Sequence, residues 1–279
     1  MSAAGPVSQS MPVTQAMPVT LVMPMAGAGS RFAAPGLDLP NPLLPKPLLP
    51  LGPAPFFAWA LAGIEASLSV TTIVCVVRAE HVARHGIDRQ ILARVPQARL
   101  VVLDAMTGGA AETAYHGVRA VLDIPGIAEN PLILADCDVA VVVPGLRAAL
   151  KASRGTGGGV LTTFPGRGNP AYSYAVLDAQ GRLTGTVEKR AASPHALAGC
   201  YGFGRAGDFP DAFEAYRRAC PYPETFVSGI FDAMIAAGVP VALEPSTLQA
   251  GFGTPAELET LDRPALFARL GPHLREAAP

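Results

Sequence analysis

The sequence predicts an α/β fold whose central, mostly parallel sheet is flanked by helices. In the first half of the chain, short β-branched runs alternate with helical stretches. Buried parallel strands have continuous apolar sequences, and each intervening helix supplies the crossover that parallel pairing requires. After Gly159 the strands follow one another closely, which predicts an antiparallel part joined to the parallel one.

The elements follow from local patterns along the chain. Apolar runs predict strands at 19–23, 70–77, 100–103, 131–135 and 160–163, with helices at 56–68, 110–122 and 146–153. In the second half, strands are predicted at 172–177, 182–187 and 200–203, with a hairpin turn at 178–181. Two helices, 225–237 and 255–261, then surround a strand at 241–244.

Composition limits the size and the partners of the protein. The chain has 279 residues, of which 50% are hydrophobic and 15% charged, so it can bury a full core. We expect one domain over residues 19–279, preceded by a disordered tail at 1–18 that is rich in Ser, Ala, Pro, Gln and Met. The net charge is −1 and no long basic cluster occurs, which argues against nucleic acid as a partner.

The cysteines and the apolar runs predict a soluble, cytoplasmic protein. Four widely spaced cysteines form no CxxC pair and are typical of reduced thiols. No apolar run approaches the roughly 18 residues of a membrane span, and the first basic residue is Arg31, so no signal peptide is expected. We therefore expect no membrane partner, while a homo-oligomer remains open.

A glycine-rich loop follows the first predicted strand. The backbone of Ala26, Gly27, Gly29 and Ser30 is predicted to approach phosphate groups closely, with positive charge from Arg31. A second cation comes from Pro45-Lys46-Pro47, which contains one of only three lysines in the chain. A nucleoside triphosphate is the natural ligand of such a loop. Gly-x-Gly after a strand is common, however, so the loop alone leaves a purely structural turn equally open.

Two aspartates follow the strand at 131–135. Ligands in open α/β sheets bind beyond the carboxyl ends of the strands, where Asp136 and Asp138 are expected. Their oxygens suit Mg²⁺, which takes one or two protein carboxylates and completes its shell with phosphate oxygens and water. The alternative is that Asp136 caps a turn or a helix.

Two further segments are candidates for binding a base and an acceptor. In the small-residue turn at 107–113, a base would find room to pack against the backbone of Gly109 and Ala110. A tight turn capped by Thr107 explains these small residues equally well. Glu188 and Lys189 follow a predicted strand and offer a carboxylate for hydroxyls and an ammonium for a phosphate. A solvated ion pair is the alternative. Gly199 and Tyr201 would then line the acceptor-binding site.

Taken in order, six short motifs resemble those of the sugar-phosphate nucleotidylyltransferases, also called nucleotide-sugar pyrophosphorylases. The resemblance spans residues 19–261 and rests on the segments 25–32, 45–49, 109–111, 135–138, 187–189 and 253–255. It implies a Rossmann-like nucleotidyltransferase fold and a reaction in which an NTP and a small phosphorylated acceptor give an NDP-linked product and pyrophosphate. A role in surface polysaccharide synthesis is the corresponding expectation.

The resemblance also implies roles for individual residues. Gly27, Gly29 and Arg31 would hold the triphosphate, and Lys46 would contact phosphates at the reacting centre. The implied catalytic residues are Arg31, Lys46 and Asp136. Asp136 would also bind Mg²⁺, with Asp138 as a candidate second ligand. The remaining implied contacts are Ala26, Ser30, Gly109 and Ala110 for the nucleotide, and Glu188, Lys189, Gly199 and Tyr201 for the acceptor.

Three departures from the family pattern keep other functions open. A proline-rich stretch at 37–44 lengthens the loop, and the glutamine that often reads a thymine or uracil near the base turn is not evident in the segment just before Thr107. Gly251-Phe252 stands where many members carry a second metal aspartate. The second carboxylate is then Asp138, Glu244 or neither. The alternatives are a CTP-dependent enzyme acting on a non-sugar phosphate such as phosphocholine, a catalytically reduced nucleotide-binding regulator, and a retaining glycosyltransferase.

Overall fold

The structure is a computed structural model that describes residues 17–32 and 44–277. The predicted tail at 1–18 therefore lies almost wholly outside the described residues. The same holds for the proline-rich stretch, of which only Leu44 is described.

Thirteen strands and nine helices occur in the described part of the chain. The strands are β1 Thr20–Pro24, β2 Pro50–Leu51, β3 Ala54–Pro55, β4 Thr72–Arg78, β5 Arg99–Leu103, β6 Leu132–Ala135, β7 Val139–Val142, β8 Gly159–Pro165, β9 Tyr174–Leu177, β10 Leu183–Val187, β11 His195–Phe203, β12 Val241–Pro245 and β13 Leu248–Gly251. The helices are α1 Phe56–Ser67, α2 Ala79–His85, α3 Ile87–Arg94, α4 Ala110–Arg119, α5 Leu146–Thr156, α6 Phe209–Ala219, α7 Val227–Ala236, α8 Pro255–Thr260 and α9 Arg263–Leu270.

Nine strands form one mixed sheet, and the predicted fold class is confirmed. Its main path runs β10-β9-β11-β6-β1-β4-β5, and β8 joins β11 to β12. Strands β6, β1, β4 and β5 are parallel, as the first half of the sequence predicts. Strand β11 pairs antiparallel with β6, β8 and β9, and thereby attaches the antiparallel part to the parallel one.

The sheet is buried on both faces because its central strands alternate between two cores. On β1, Leu21 and Met23 pack into the core that contains α1 and Trp59. Val22 points the opposite way, into the core formed with α4, α6 and α7. This arrangement explains why the central strands have continuous apolar sequences.

Several elements were not predicted, although every predicted strand and helix is present. The additional elements are the helices α2, α3, α6 and α9, the β2–β3 pair, and the strands β7 and β13, which pair with each other apart from the main sheet. Predicted bounds also shift: β11 begins at His195, five residues before its predicted start, and α5 continues to Thr156. Within the described residues, no helix is long and apolar enough to cross a bilayer.

Candidate active site

A large cleft lies at the carboxyl ends of the parallel strands. Its volume is about 1440 Å³, more than the roughly 300–1,000 Å³ typical of a site for one small ligand. Thirteen of the fourteen predicted site residues line it: Ala26, Gly27, Gly29, Arg31, Lys46, Gly109, Ala110, Asp136, Asp138, Glu188, Lys189, Gly199 and Tyr201. The fourteenth, Ser30, begins the 3₁₀ turn Ser30–Phe32 beside Gly29. The fold thus brings together segments that are far apart in the sequence.

The glycine loop leaves the end of β1 and exposes its backbone to the cleft. A hydrogen bond of 2.8 Å from the Met25 N–H to the Val76 carbonyl ties the start of the loop to β4. No atom lies within 4 Å of where a side chain on Gly27 would begin, so this stretch of backbone is open to a ligand. Gly29 has a φ of +66°, in the left-handed region that favours glycine. The loop therefore presents open backbone to the cleft and contains a left-handed glycine.

Lys46 reaches the two aspartates from the other side of the loop. It begins the 3₁₀ turn Lys46–Leu48, whose Pro47 and Leu48 are buried and anchor it. Its Nζ donates a hydrogen bond to Oδ2 of Asp138. Burial lowers the pKa of Lys46, but the attraction of Asp138, the influence of Cys137 and the hydrogen bond to Asp138 together outweigh it, and the net pKa is raised. Lys46 therefore carries a fixed positive charge in the cleft.

Asp136 and Asp138 lie directly beyond β6 at the floor of the cleft. The Asp136 N–H donates to the Gly199 carbonyl at 2.9 Å, which holds this position against β11. Burial raises the pKa of Asp136 to about 7; the charges of Asp138 and Glu188 add to the effect, and Lys46 opposes it. A carboxylate pair kept close in this way favours a bound cation.

Gly199 has a specific role in forming this carboxylate pair. Its φ is +78°, and a Cβ at this position would lie 2.5 Å from Val139 Cγ1 and 2.9 Å from Asp136 Oδ2. Only glycine therefore leaves room for the Asp136 side chain. The sequence suggested an acceptor contact for Gly199, and the structure adds this support of Asp136.

The two candidates for a second carboxylate lie in different places. Asp138 lines the cleft and packs against Gly253, where a side chain would collide with its carboxylate. Glu244 is instead packed against Gly145 at the start of α5, away from the cleft-lining residues. Phe252 is fully buried with its ring centroid 4.9 Å from that of Phe56, so this position serves packing.

The small-residue turn before α4 lines the cleft and is braced from behind. Gly109, the residue before the helix, has a φ of +150°, and a Cβ there would lie 2.5 Å from the Thr225 backbone nitrogen. The Thr107 hydroxyl donates to the Gly109 carbonyl at 3.0 Å. The turn is part of the cleft wall, and the helix begins after Gly109 with no side-chain cap, so the predicted cap by Thr107 is wrong.

Another lining residue of the cleft, Glu188, is held by two serines. Its Oε2 accepts a hydrogen bond of 2.6 Å from Ser173, and its Oε1 accepts one from Ser228. Burial raises the pKa of Glu188, while these hydrogen bonds act in the opposite direction. Lys189 has a φ of +52°, and its Nζ lies 3.8 Å from Glu224 Oε1. A fixed carboxylate and an exposed ammonium therefore line the same cleft.

Three solved structures resemble the whole described fold. The first, a nucleoside-diphosphate-sugar pyrophosphorylase from Vibrio cholerae RC9, aligns with a TM-score of 0.69 at 22% identity, over 86% of this chain and 98% of that one. An assigned glucose-1-phosphate thymidylyltransferase from Bacillus anthracis, solved with sucrose, aligns with a TM-score of 0.68 at 16% identity, over 89% and 94%. The inositol-1-phosphate CTP transferase of T. maritima aligns with a TM-score of 0.66 at 15% identity, over 91% and 96%.

The chain has the nucleotidyltransferase fold. At these identities the likeness establishes architecture, and it agrees with the fold that the sequence motifs imply. No protein-family model matches the sequence, and no curated protein matches it.

Within this nucleotidyltransferase fold, sequence reasoning missed the residues that support the site from behind. Ser228 stands in no recognisable sequence motif, yet it fixes Glu188 from the first turn of α7. Tyr222 and Thr225, in the loop before that helix, form hydrogen bonds with Glu188 and with the turn before α4. No local pattern marks these contacts, since their partners lie tens of residues away. None of the five histidines lines the cleft.

Proposed function

We propose that the protein is a nucleotidyltransferase that moves an NMP group from an NTP to a sugar 1-phosphate or a related small phosphate, releasing pyrophosphate. One observation supports this most strongly: a single cleft holds the glycine loop with Arg31 and Lys46, the Asp136–Asp138 pair, and the Glu188–Lys189 pair. The cleft is large enough for two anions side by side.

The two ends of the cleft have different chemistry, which suggests where each substrate lies. The open glycine loop, Arg31 and Lys46 suit a triphosphate. The small residues Gly109 and Ala110 leave room for a flat base to pack against the turn. Glu188, fixed by serines, suits the hydroxyls of an acceptor, and Lys189 suits its phosphate. This assignment places the α-phosphate between the ends, near Lys46 and the aspartates.

In the proposed reaction, an acceptor phosphate oxygen forms a bond to the α-phosphorus while the bond from that phosphorus to the pyrophosphate oxygen breaks. The leaving pyrophosphate carries away the electron pair, so no covalent enzyme intermediate is required. The work of the protein is to align two anions and to neutralise the charge between them. Arg31 and Lys46 supply fixed positive charge on the side of the leaving group.

Asp136 and Asp138 fit a bound Mg²⁺. They offer hard carboxylate oxygens at one strand end, and among the described residues no group of three metal-ligating side chains forms a closed protein cage. An open site of this kind suits Mg²⁺, whose remaining positions go to phosphate oxygens and water. When bound, the ion supplies positive charge that neutralises the phosphates.

A second candidate is a CTP-dependent enzyme acting on a non-sugar phosphate. The likeness to an inositol-1-phosphate CTP transferase supports it, as does the absence of a glutamine in the segment just before Thr107. The site chemistry is shared by the two candidates, because both acceptors present a phosphate and a polar body. A role in surface polysaccharide synthesis and a cytoplasmic location stay predictions.

Pyrophosphate release tests the proposal. The full chain is incubated with Mg²⁺ and each of ATP, CTP, GTP, UTP and dTTP, against sugar 1-phosphates, inositol 1-phosphate and phosphocholine. Release with one pair supports nucleotidyl transfer, and the acceptor decides between the two candidates. Nucleotide binding without release for any acceptor would favour the regulatory alternative.

A further inference from the structure

One loop, residues 221–226 between α6 and α7, contacts both ends of the cleft. At the base end, the Thr225 N–H donates to the Gly108 carbonyl at 2.8 Å, and the Ala111 N–H donates to the Thr225 carbonyl at 3.1 Å. This close approach of two backbones is available because Gly109 has no side chain. The loop therefore moves together with the turn that would carry the base.

At the acceptor end, the same loop holds Glu188 and Lys189. The Glu188 N–H donates to the Tyr222 hydroxyl at 3.3 Å. Lys189 Nζ lies 3.8 Å from Glu224 Oε1 and 5.3 Å from the centroid of the Phe226 ring. The two residues that would bind the acceptor thus take their positions partly from this loop.

The loop is stiff enough to transmit a displacement. Pro221 and Pro223 restrict the backbone at two of its six residues. The rings of Tyr222 and Phe226 pack edge to face with centroids 5.5 Å apart, and the Phe226 N–H donates to the Tyr216 hydroxyl at 3.2 Å. These restraints favour the transmission of a shift from one end of the loop to the other.

We propose that the 221–226 loop couples the two subsites, so that seating a base on the 107–109 turn positions Glu188 and Lys189 for the acceptor. Tyr222 is the positioning residue at the acceptor end. The inference rests on the proposed function, because it needs a nucleotide and an acceptor in one cleft. By linkage, each substrate then tightens the binding of the other by the same factor.

Amide hydrogen exchange tests this coupling without turnover, because Mg²⁺ and an NTP are added with no acceptor. Each of the five common NTPs is tried on the full chain, and exchange is followed at 107–111 and at 186–189. In the wild type we expect one NTP to slow exchange about fivefold or more at 107–111 and at 186–189. A factor of about five is the lower end of the range typical of allosteric coupling.

Two variants isolate the contribution of the loop. Tyr222→Phe removes the hydroxyl that accepts from Glu188 but keeps the ring, so the NTP should still protect 107–111 while its effect at 186–189 falls below about twofold. Thr225→Val is the matched control, because the Thr225 hydroxyl is buried without a hydrogen-bond partner among the described residues. This variant should keep both effects.

The outcomes separate the coupling from the function on which it rests. Protection at 107–111 with no change at 186–189 in the wild type would overturn the coupling and leave the proposed function standing. Equal protection at 186–189 in the wild type and in Tyr222→Phe would also overturn it. If Tyr222 had a purely structural role, Tyr222→Phe would raise exchange at 186–189 equally with and without the NTP. That result would overturn the coupling as well. If no NTP protects 107–111, the proposed function and the coupling both fail.

Discussion

The ammonium group of Lys46 is hydrogen-bonded to the carboxylate of Asp138, although 92 residues separate them in the sequence. The contact joins the glycine-loop side of the cleft to the end of β6. Each partner is also a proposed contact for something else, Lys46 for phosphates and Asp138 for Mg²⁺. Binding of substrate and metal must therefore replace this ion pair.

Replacing Lys46 by Met should have opposite effects on turnover and on metal binding. We expect kcat to fall by about 10²-fold, the loss typical of one electrostatic contact to a transition state. Affinity for Mg²⁺ in the absence of nucleotide should rise, because Asp138 loses its competing cation; calorimetry measures this directly. Lys151→Met is the control, since Lys151 is exposed on α5 and outside the cleft. Unchanged turnover in Lys46→Met would contradict the role proposed for it.

Mg²⁺ binding to the free enzyme should weaken as the pH falls through about 7. Burial, with the charge of Asp138 next, raises the pKa of Asp136 to about 7, so protons compete with the metal at that site below this pH. Calorimetric titrations between pH 6 and 8.5 measure the effect. A flat profile across that range would show that Asp136 is not a ligand of the free enzyme.

Asp136→Asn should abolish Mg²⁺-dependent turnover and yet stabilise the metal-free fold at pH 8. Because the pKa of Asp136 is higher in the folded state than in the unfolded state, the native protein binds more protons between about pH 4 and 7. Stability contributed by the protonated carboxyl is therefore lost as the pH rises through that window. Thermal melts in EDTA should show a higher Tm for the variant at pH 8 and little difference at pH 4. A lower Tm at pH 8 would contradict the assigned burial cost.

Gly199→Ala should damage both stability and activity, because its Cβ would strike Asp136 and Val139. Gly181→Ala provides a matched comparison, since Gly181 has a φ of +76° but no atom within 4 Å of the added Cβ. Both variants carry backbone strain of roughly 1 kcal/mol. Only Gly199→Ala should lose turnover and metal affinity as well. Equal activity in the two variants would show that the space beside Asp136 is not needed.

Ser228→Ala should raise KM for the acceptor by about tenfold or more and leave KM for the NTP nearly unchanged. The variant removes a donor to Glu188, and a hydrogen bond to a charged group contributes about 1.5–3 kcal/mol. Initial rates at varied acceptor concentration measure the change. Ser153→Ala, on α5 and outside the cleft, controls for the loss of a buried helix serine. An effect confined to KM for the NTP would contradict the assignment of Glu188 to the acceptor.

The sequence predicts those elements in which burial produces a recognisable local pattern of apolar residues. The run from Leu21 to Met23 is apolar at every position because β1 is buried on both faces, and this predicts a central parallel strand. The site residues on loops were found for a related reason: parallel strands end at one edge of the sheet, so the segments after β1 and β6 must meet there.

The unpredicted parts depend on contacts between distant residues. Strand β7 pairs with β13, more than a hundred residues later, and no local feature identifies that partner. Helix α6 has a helical spacing of buried residues at Phe209, Phe213 and Tyr216, but Pro210 in its first turn obscured a start that proline in fact permits. Likewise, the serines that hold Glu188 carry no signal in their own neighbourhood.

The most direct test of the central claim is to follow the label from α-³²P-labelled and γ-³²P-labelled NTP in the presence of Mg²⁺ and the acceptor panel. The account predicts that α-label enters the acceptor product and that γ-label is recovered only in pyrophosphate. Transfer of the γ-label to the acceptor, with NDP as the other product, would mean phosphoryl transfer and would contradict nucleotidyl transfer in this cleft.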